Sequence, residues 1–430
     1  MNGAPRQRKL FYGWPLLGVG FLIYGLGIGP GYYSWGFLAP EVMGELGLSR
    51  EQVGSIFGTF TLTFALTGPL AALAIRHLGI RATTTLGALI AALGFALVSR
   101  ADSIVELYLC YSLLGGIGIG LSTGFPTTTL AVNWFRRYRA TAMAVILLGA
   151  AVVGGLVNPI DAWILGLWDW RAAWLVVGAI SVSVAALALL FIRNRPEDVD
   201  QLPDGAAVLE DEEPGDNAVG SSMAPRWTAI QAIRTPQFAI ATLAGMANVV
   251  PWRVITAHGR LHFEDLGFAA TATAAILGVR VGVSAFGRVS GSLGDILSAT
   301  RVMAVALVIN GAGLAMLVVA DTAGVAYLSV VLMGVGYGAG YISEPVVFAN
   351  FFGRHAFVGT SGLRVVLIGI AGYFAPTLAG AAADRTGTYG VAITVLAIGC
   401  VAGAAAIFLC TTPARSAQTQ ARNAASTAAG

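Results

Sequence analysis

Twelve stretches of roughly 18 or more residues run along this 430-residue chain almost without charge, and no other feature narrows its fold so far. They fall near 13–39, 52–75, 82–99, 104–133, 141–166, 172–192, 237–258, 270–294, 300–320, 324–352, 358–383 and 388–410. Each is long enough to cross the hydrocarbon of a bilayer as a helix. None shows the short apolar–polar alternation of a membrane barrel strand. Helices are then the structure that satisfies every backbone N–H and C=O without water. Charged residues make up only 11% of the chain and hydrophobic ones 56%, too little charge for a soluble surface of this size. The expected fold is an all-α membrane protein of twelve transmembrane helices. Apolar character begins at Phe11 and continues as a long first helix, so no cleaved leader is expected. Cys110, Cys400 and Cys410 lie in apolar runs without metal-ligand spacing and read as reduced packing residues.

One polar segment interrupts the pattern. It opens with Arg193-Asn194-Arg195-Pro196 and carries the acidic run Glu210, Asp211, Glu212 and Glu213. Its composition reads as a linker with a solvated acidic face. It divides the chain into an N-terminal half (1–192), a linker (193–236), a C-terminal half (237–410) and a disordered tail (411–430). Arg6, Arg8, Lys9, Arg76, Arg81, Arg136, Arg137, Arg139, Arg193, Arg195, Arg301, Arg354 and Arg415 fall on one side of the expected topology. Arg50, Arg100, Arg171 and Arg385 fall on the other. The excess of arginine marks the first side as cytoplasmic, with both termini and the linker there.

The two halves repeat. A shift of 219 lays Gly68 on Gly287, Gly94 on Gly313, Ala101-Asp102 on Ala320-Asp321, Gly115 on Gly334 and Pro126 on Pro345. After a slip of two, Asn133 falls on Asn350, Phe135 on Phe352, Arg137 on Arg354 and Pro159 on Pro376. Two pseudo-symmetric six-helix halves joined by a polar loop describe a secondary transporter.

The local motifs are Tyr12-Gly13-Trp14, Tyr33-Ser34-Trp35, Asn133-Trp134-Phe135-Arg136-Arg137, Asp169-Trp170-Arg171, and Gly287-Arg288 leading to Gly294-Asp295. Together, in this order, they resemble the major facilitator superfamily, and within it the branch of monocarboxylate transporters and bacterial oxalate–formate exchangers. The linker opening through Asp198 and Arg234-Thr235-Pro236-Gln237 are similar to bacterial members. The resemblance implies a multi-pass carrier in a bacterial inner membrane, working by alternating access as proton symport or anion exchange. It also implies that an arginine at position 288 binds the substrate carboxylate. Two departures stand out. The animal proton-coupled relatives carry a lysine in helix one and an aspartate one turn before the helix-eight arginine, where this chain has Tyr33 and Ser284. That puts proton symport by their route in doubt.

Charges inside apolar runs carry the rest. A guanidinium cannot shed its proton, so Arg288 and Arg364 must be hydrated, paired or held for a ligand. Under the repeat Arg288 overlays Pro69, Arg364 overlays Leu147, Glu344 overlays Phe125 and Arg280 overlays Thr61. Scaffold residues recur in both halves, so this asymmetry favours a ligand role. Arg288, Arg364 and Arg280 are the candidate anion-binding residues, with Tyr32, Tyr33 and Trp35 as an aromatic wall offering polar donors. Arg253 stands beside Pro251-Trp252 in a comparable place, and His258 and Arg260 read as outer-gate residues. Glu344 is either a counter-charge to an arginine or a proton carrier; Asp161 reads as structural. Asp295 and Arg354 form the expected cytoplasmic latch, which survives only in the C-terminal copy because Arg76 holds the corresponding acidic place in the first.

The glycine clusters at 115–120 and 334–338 follow no strand and occupy equivalent places in the repeat, so they serve close helix packing and not a nucleotide. No nucleotide loop, metal-ligand cluster or catalytic triad is legible, and neither a cofactor nor an enzymatic activity is expected. The expected partners are a small organic anion, the bilayer and, under symport, protons; a monomer and no nucleic acid are expected. Efflux of amphipathic compounds is a second reading, weakened because Gly154-Gly155 runs into Leu156 without the drug-antiporter pattern. A transporter-like sensor that binds without flux is a third.

Overall fold

A computed structural model describes residues 11–205, 227–291, 297–411 and 413. Among them there is no strand, and eleven helices are long and apolar enough to cross a membrane. We label the spans α1 (Gly13–Leu46), α2 (Arg50–Leu66, continuing past Thr67 through residues 68–78), α3 (80–98), α4 (Ile104–Trp134), α5 (Arg139–Leu167) and α6 (Trp170–Phe191). The second half holds α7 (Pro236–Asp265), α8 (Ala270–Gly291), α9 (Ala299–Val318), α10 (Ala323–Gly353), α11 (Gly359–Thr386) and α12 (Gly390–Leu409). The twelfth span is α2, whose regular part is shorter than the other eleven.

Two glycines mark corners where the helical path turns without a long loop. Gly79 (φ 81°) separates α2 from α3, and Gly353 (φ 71°) separates α10 from α11. Both dihedrals lie in the region that a Cβ disfavours. The expected ends of α1 and α7 were too short, because each helix runs about seven residues further than its uncharged stretch. The extra turns are polar but mutually satisfied: Glu41 on α1 takes both terminal nitrogens of Arg260 on α7 at 2.8 and 2.6 Å.

The glycine clusters pack helices, as expected. A Cβ on Gly118 would fall 2.3 Å from the Ala91 backbone, and one on Gly336 would fall 2.6 Å from Asn310. The N-terminal half closes on an aromatic core in which Trp35, Phe60, Phe95, Tyr111 and Trp174 are all fully buried.

The described start of the linker is folded onto the N-terminal half. Asn194 accepts from the Arg81 N–H through its side chain, and its own carbonyl accepts from Asn133. Asp204 accepts from the backbone N–H groups of Arg136 and Arg137 at 2.9 and 2.8 Å. The acidic run 210–213, the tail beyond 413 and Asp295 lie outside the described residues, as does the side chain of Arg354.

Candidate functional site

The halves meet along three seams: α1 on α7, α2 on α11 and α5 on α8. Small residues allow each contact. A Cβ on Gly36 would collide with the Thr256 carbonyl, one on Gly54 with the Pro376 carbonyl, and Gly155 lies against Gly282. The hydrogen bonds described between the halves run from mid-bundle to the side opposite the linker. Arg50 pairs with Asp265 at 2.5 Å, Asp384 accepts from the N–H groups of Arg50 and Glu51, and Arg260 binds Glu41 and the Phe37 carbonyl. Within the C-terminal half, His258 sits between the Pro376 carbonyl (2.8 Å) and the Tyr389 hydroxyl (3.1 Å) and ties α7, α11 and the start of α12 together beside this seam. None of these described inter-half bonds lies on the linker side of Arg288. The far side is therefore latched.

Between the seams lies a central cavity of about 660 Å³. Its lining follows helical faces, with Tyr24, Ile28 and Tyr32 one turn apart on α1 and Tyr337, Tyr341 and Pro345 one turn apart on α10. Arg253, Arg288 and Arg364 all reach its wall.

The three differ in what they touch. Arg288 donates to the Leu147 carbonyl on α5, and its guanidinium carbon sits 5.3 Å from the centre of the Tyr341 ring. Its Nε has no partner, and among the described residues no carboxylate pairs with it. Arg364 instead meets Glu344 at 3.1 Å, the two side chains being 11% and 7% exposed. Glu344 gains its room from Gly245, where a Cβ would fall 2.3 Å from the carboxylate oxygen. Arg364 also stacks on Phe348, 4.9 Å from its ring centre. Arg253 donates to the Ile368 carbonyl at 3.2 Å.

Arg280 lies outside the cavity wall. It is 1% exposed, stacks 4.2 Å from the Trp252 ring and donates to the Trp252 carbonyl and the Thr256 hydroxyl. Trp252 in turn stacks on Tyr337 at 3.9 Å. Arg280 thus backs the aromatic wall. Tyr32 and Tyr33 do line the cavity, edge to face with ring centres 5.1 Å apart. Trp35 points the other way: its Nε1 donates to the Val53 carbonyl and its ring stacks on Tyr111 at 4.5 Å. A step of two residues from Tyr33 turns a helical side chain about 200° away, which carries Trp35 into the core of its own half.

Tyr24 and Tyr341 were missed by sequence reasoning, although their signal was present as tyrosines spaced by eight and four from other lining residues in uncharged runs. Among the described residues no cluster of His, Cys, Asp and Glu is arranged to hold a metal ion.

Twelve spans in two halves thus surround a central cavity whose far side is latched. A family model described as Major Facilitator Superfamily matches residues 17–291. The chain belongs to this superfamily. It is a membrane transporter and not an enzyme. It is 28% identical to Monocarboxylate transporter 13 of Rattus norvegicus over 369 residues, covering 84% of this chain and 77% of that protein. It is 24% identical to Monocarboxylate transporter 4 of the same species over 390 residues, covering 88% and 78%. Among solved structures, a bacterial homolog of the human lysosomal transporter Spinster, inward-facing and occupied, superposes with a TM-score of 0.70 at 16% identity, over 95% of this chain and 97% of that one. The nucleoside transporter NupG superposes with a TM-score of 0.70 at 12% identity, over 92% and 99%. These two likenesses speak to the fold alone.

Proposed function

We propose that this superfamily member carries a small organic anion, a monocarboxylate in the simplest case, with its carboxylate on Arg288. One observation carries the reading: Arg288 reaches the cavity with no carboxylate partner among the described residues and with an unused Nε–H. A fixed positive charge at membrane depth is costly unless a ligand completes it. A planar guanidinium fork suits a carboxylate. The names of the similar monocarboxylate transporters support the same chemistry.

The linker side is the cytoplasmic side in this reading. The arginine excess lies on the linker face, where Arg76, Arg81, Arg136, Arg137, Arg139, Arg193 and Arg195 outnumber the far-side Arg50, Arg100, Arg171 and Arg385. In this reading the latched far side belongs to the inward-facing state of an alternating-access cycle. The membrane is a bacterial inner membrane and the working unit a monomer. Coupling is read as anion exchange: Ser284, one turn before Arg288, is a hydroxyl bonded to the Val281 carbonyl, and Glu344 is engaged by Arg364 as a counter-charge. The test is counterflow of labelled acid into proteoliposomes preloaded with unlabelled acid. Exchange is expected with the wild-type chain and none with Arg288→Ala. Binding without counterflow would make the protein a sensor and end the carrier reading.

A further inference from the structure

The cavity contains more positive charge than one carboxylate balances. Arg253, Arg280 and Arg288 have no carboxylate partner among the described residues, while Arg364 is matched by Glu344. Arg280 is enclosed behind Trp252, but Arg253 and Arg288 both open onto the cavity. They stand on opposite flanks. Arg253 lies against the α2–α11 seam, where its guanidinium covers Gly372 and reaches the Ile368 carbonyl, and Thr61 of α2 bonds the Gly372 carbonyl. Arg288 lies against the α5–α8 seam through the Leu147 carbonyl. Tyr32, Tyr33 and Trp252 occupy the wall between them, with centroid spacings of 5.1 Å and 6.4 Å along the series.

We infer that Arg253 forms a second anion subsite, so that the preferred ligand is a dicarboxylate whose acid groups are separated by an apolar spacer. The inference rests on Arg288 as the first carboxylate site. The two guanidiniums take one carboxylate each, and the aromatic wall takes the spacer. A monoanion leaves a buried charge uncompensated, whereas a dianion neutralises both. Arg253 spends one N–H on a backbone carbonyl, so a guanidinium with five N–H groups keeps donors for a ligand.

The test is isothermal titration of the purified full chain at neutral pH with oxalate, succinate, glutarate and adipate, each beside its half-amide. At least one of the longer diacids is expected to bind about tenfold or more tighter than its half-amide, the gain of one charge-assisted contact. Oxalate, without a spacer, is expected to show no such gain. Arg253→Gln is expected to weaken the diacid about tenfold more than its half-amide, and Arg253→Lys to retain part of the diacid advantage. Equal binding of every diacid and its half-amide to the wild-type chain overturns the subsite without touching Arg288. So does an equal loss for both ligands in Arg253→Gln. If Arg253→Gln does not fold, the wild-type ratio and the lysine variant decide the matter. Absence of all binding would instead bring down the anion reading of Arg288.

Discussion

Four arginines of the C-terminal half look alike in sequence, and their partners separate them. Arg280 is a structural cation held by a ring, a carbonyl and a hydroxyl; Arg364 is half of an ion pair; Arg253 and Arg288 face the cavity unpaired. Arg288→Lys keeps the charge but loses the planar fork. Uptake is expected to fall about tenfold or more, in line with roughly 1.5–3 kcal/mol for lost charge-assisted hydrogen bonds, while membrane insertion is unchanged. Near-normal transport rates for the lysine variant would remove Arg288 from that role. For the Arg364–Glu344 pair the expectation is different. Glu344→Gln strands a nearly buried guanidinium and is expected to destabilise the protein by about 3 kcal/mol or more. Adding Arg364→Gln is expected to restore most of it, as read by thermal unfolding in detergent. If Glu344 is instead a proton carrier, the single variant exchanges anion normally but loses gradient-driven uptake.

At the scale of helices, the spans were legible because hydrophobic run length is dictated by bilayer thickness. Their ends were less so. The polar last turns of α1 and α7 satisfy each other across the half-interface through Glu41 and Arg260, and such long-range pairing leaves no mark in a local window. The candidate arginines were visible as misplaced charge. Which of them reaches the cavity was not, since Arg280 and Arg288 differ by about 80° of helical rotation and only packing against Trp252 decides the matter. Trp35 shows the converse, because an aromatic near lining residues reads as wall until its own face of the helix is known. The seams make a direct prediction. A Cβ on Gly36 would fall 1.8 Å from the Thr256 carbonyl, so Gly36→Val is expected to hold α1 and α7 apart. The cost in this state is about 1–3 kcal/mol, and the population is expected to shift toward the outward-open form. Unchanged far-side accessibility of the cavity to thiol reagents would refute it.

In the proposed alternating-access cycle the whole molecule is a two-state device in which one seam set closes as the other opens. In this state the far side is held by Arg50–Asp265 and Arg260–Glu41. Asp265→Asn with Glu41→Gln is expected to weaken that latch. The readout is a cysteine at Val249, which lines the cavity, in a background lacking Cys110, Cys400 and Cys410. An impermeant thiol reagent on the far side is expected to label it several-fold faster than in the intact latch; equal rates would mean that helix packing and not these charges sets the state. The central claim, that a carboxylate is what the cavity recognises, is tested most directly by competition in proteoliposomes between a transported acid, its amide and a matched amine. The account predicts that the unlabelled acid competes strongly, and the amide and amine hardly at all. Equal competition by the amide would show that the arginines are structural and would contradict it.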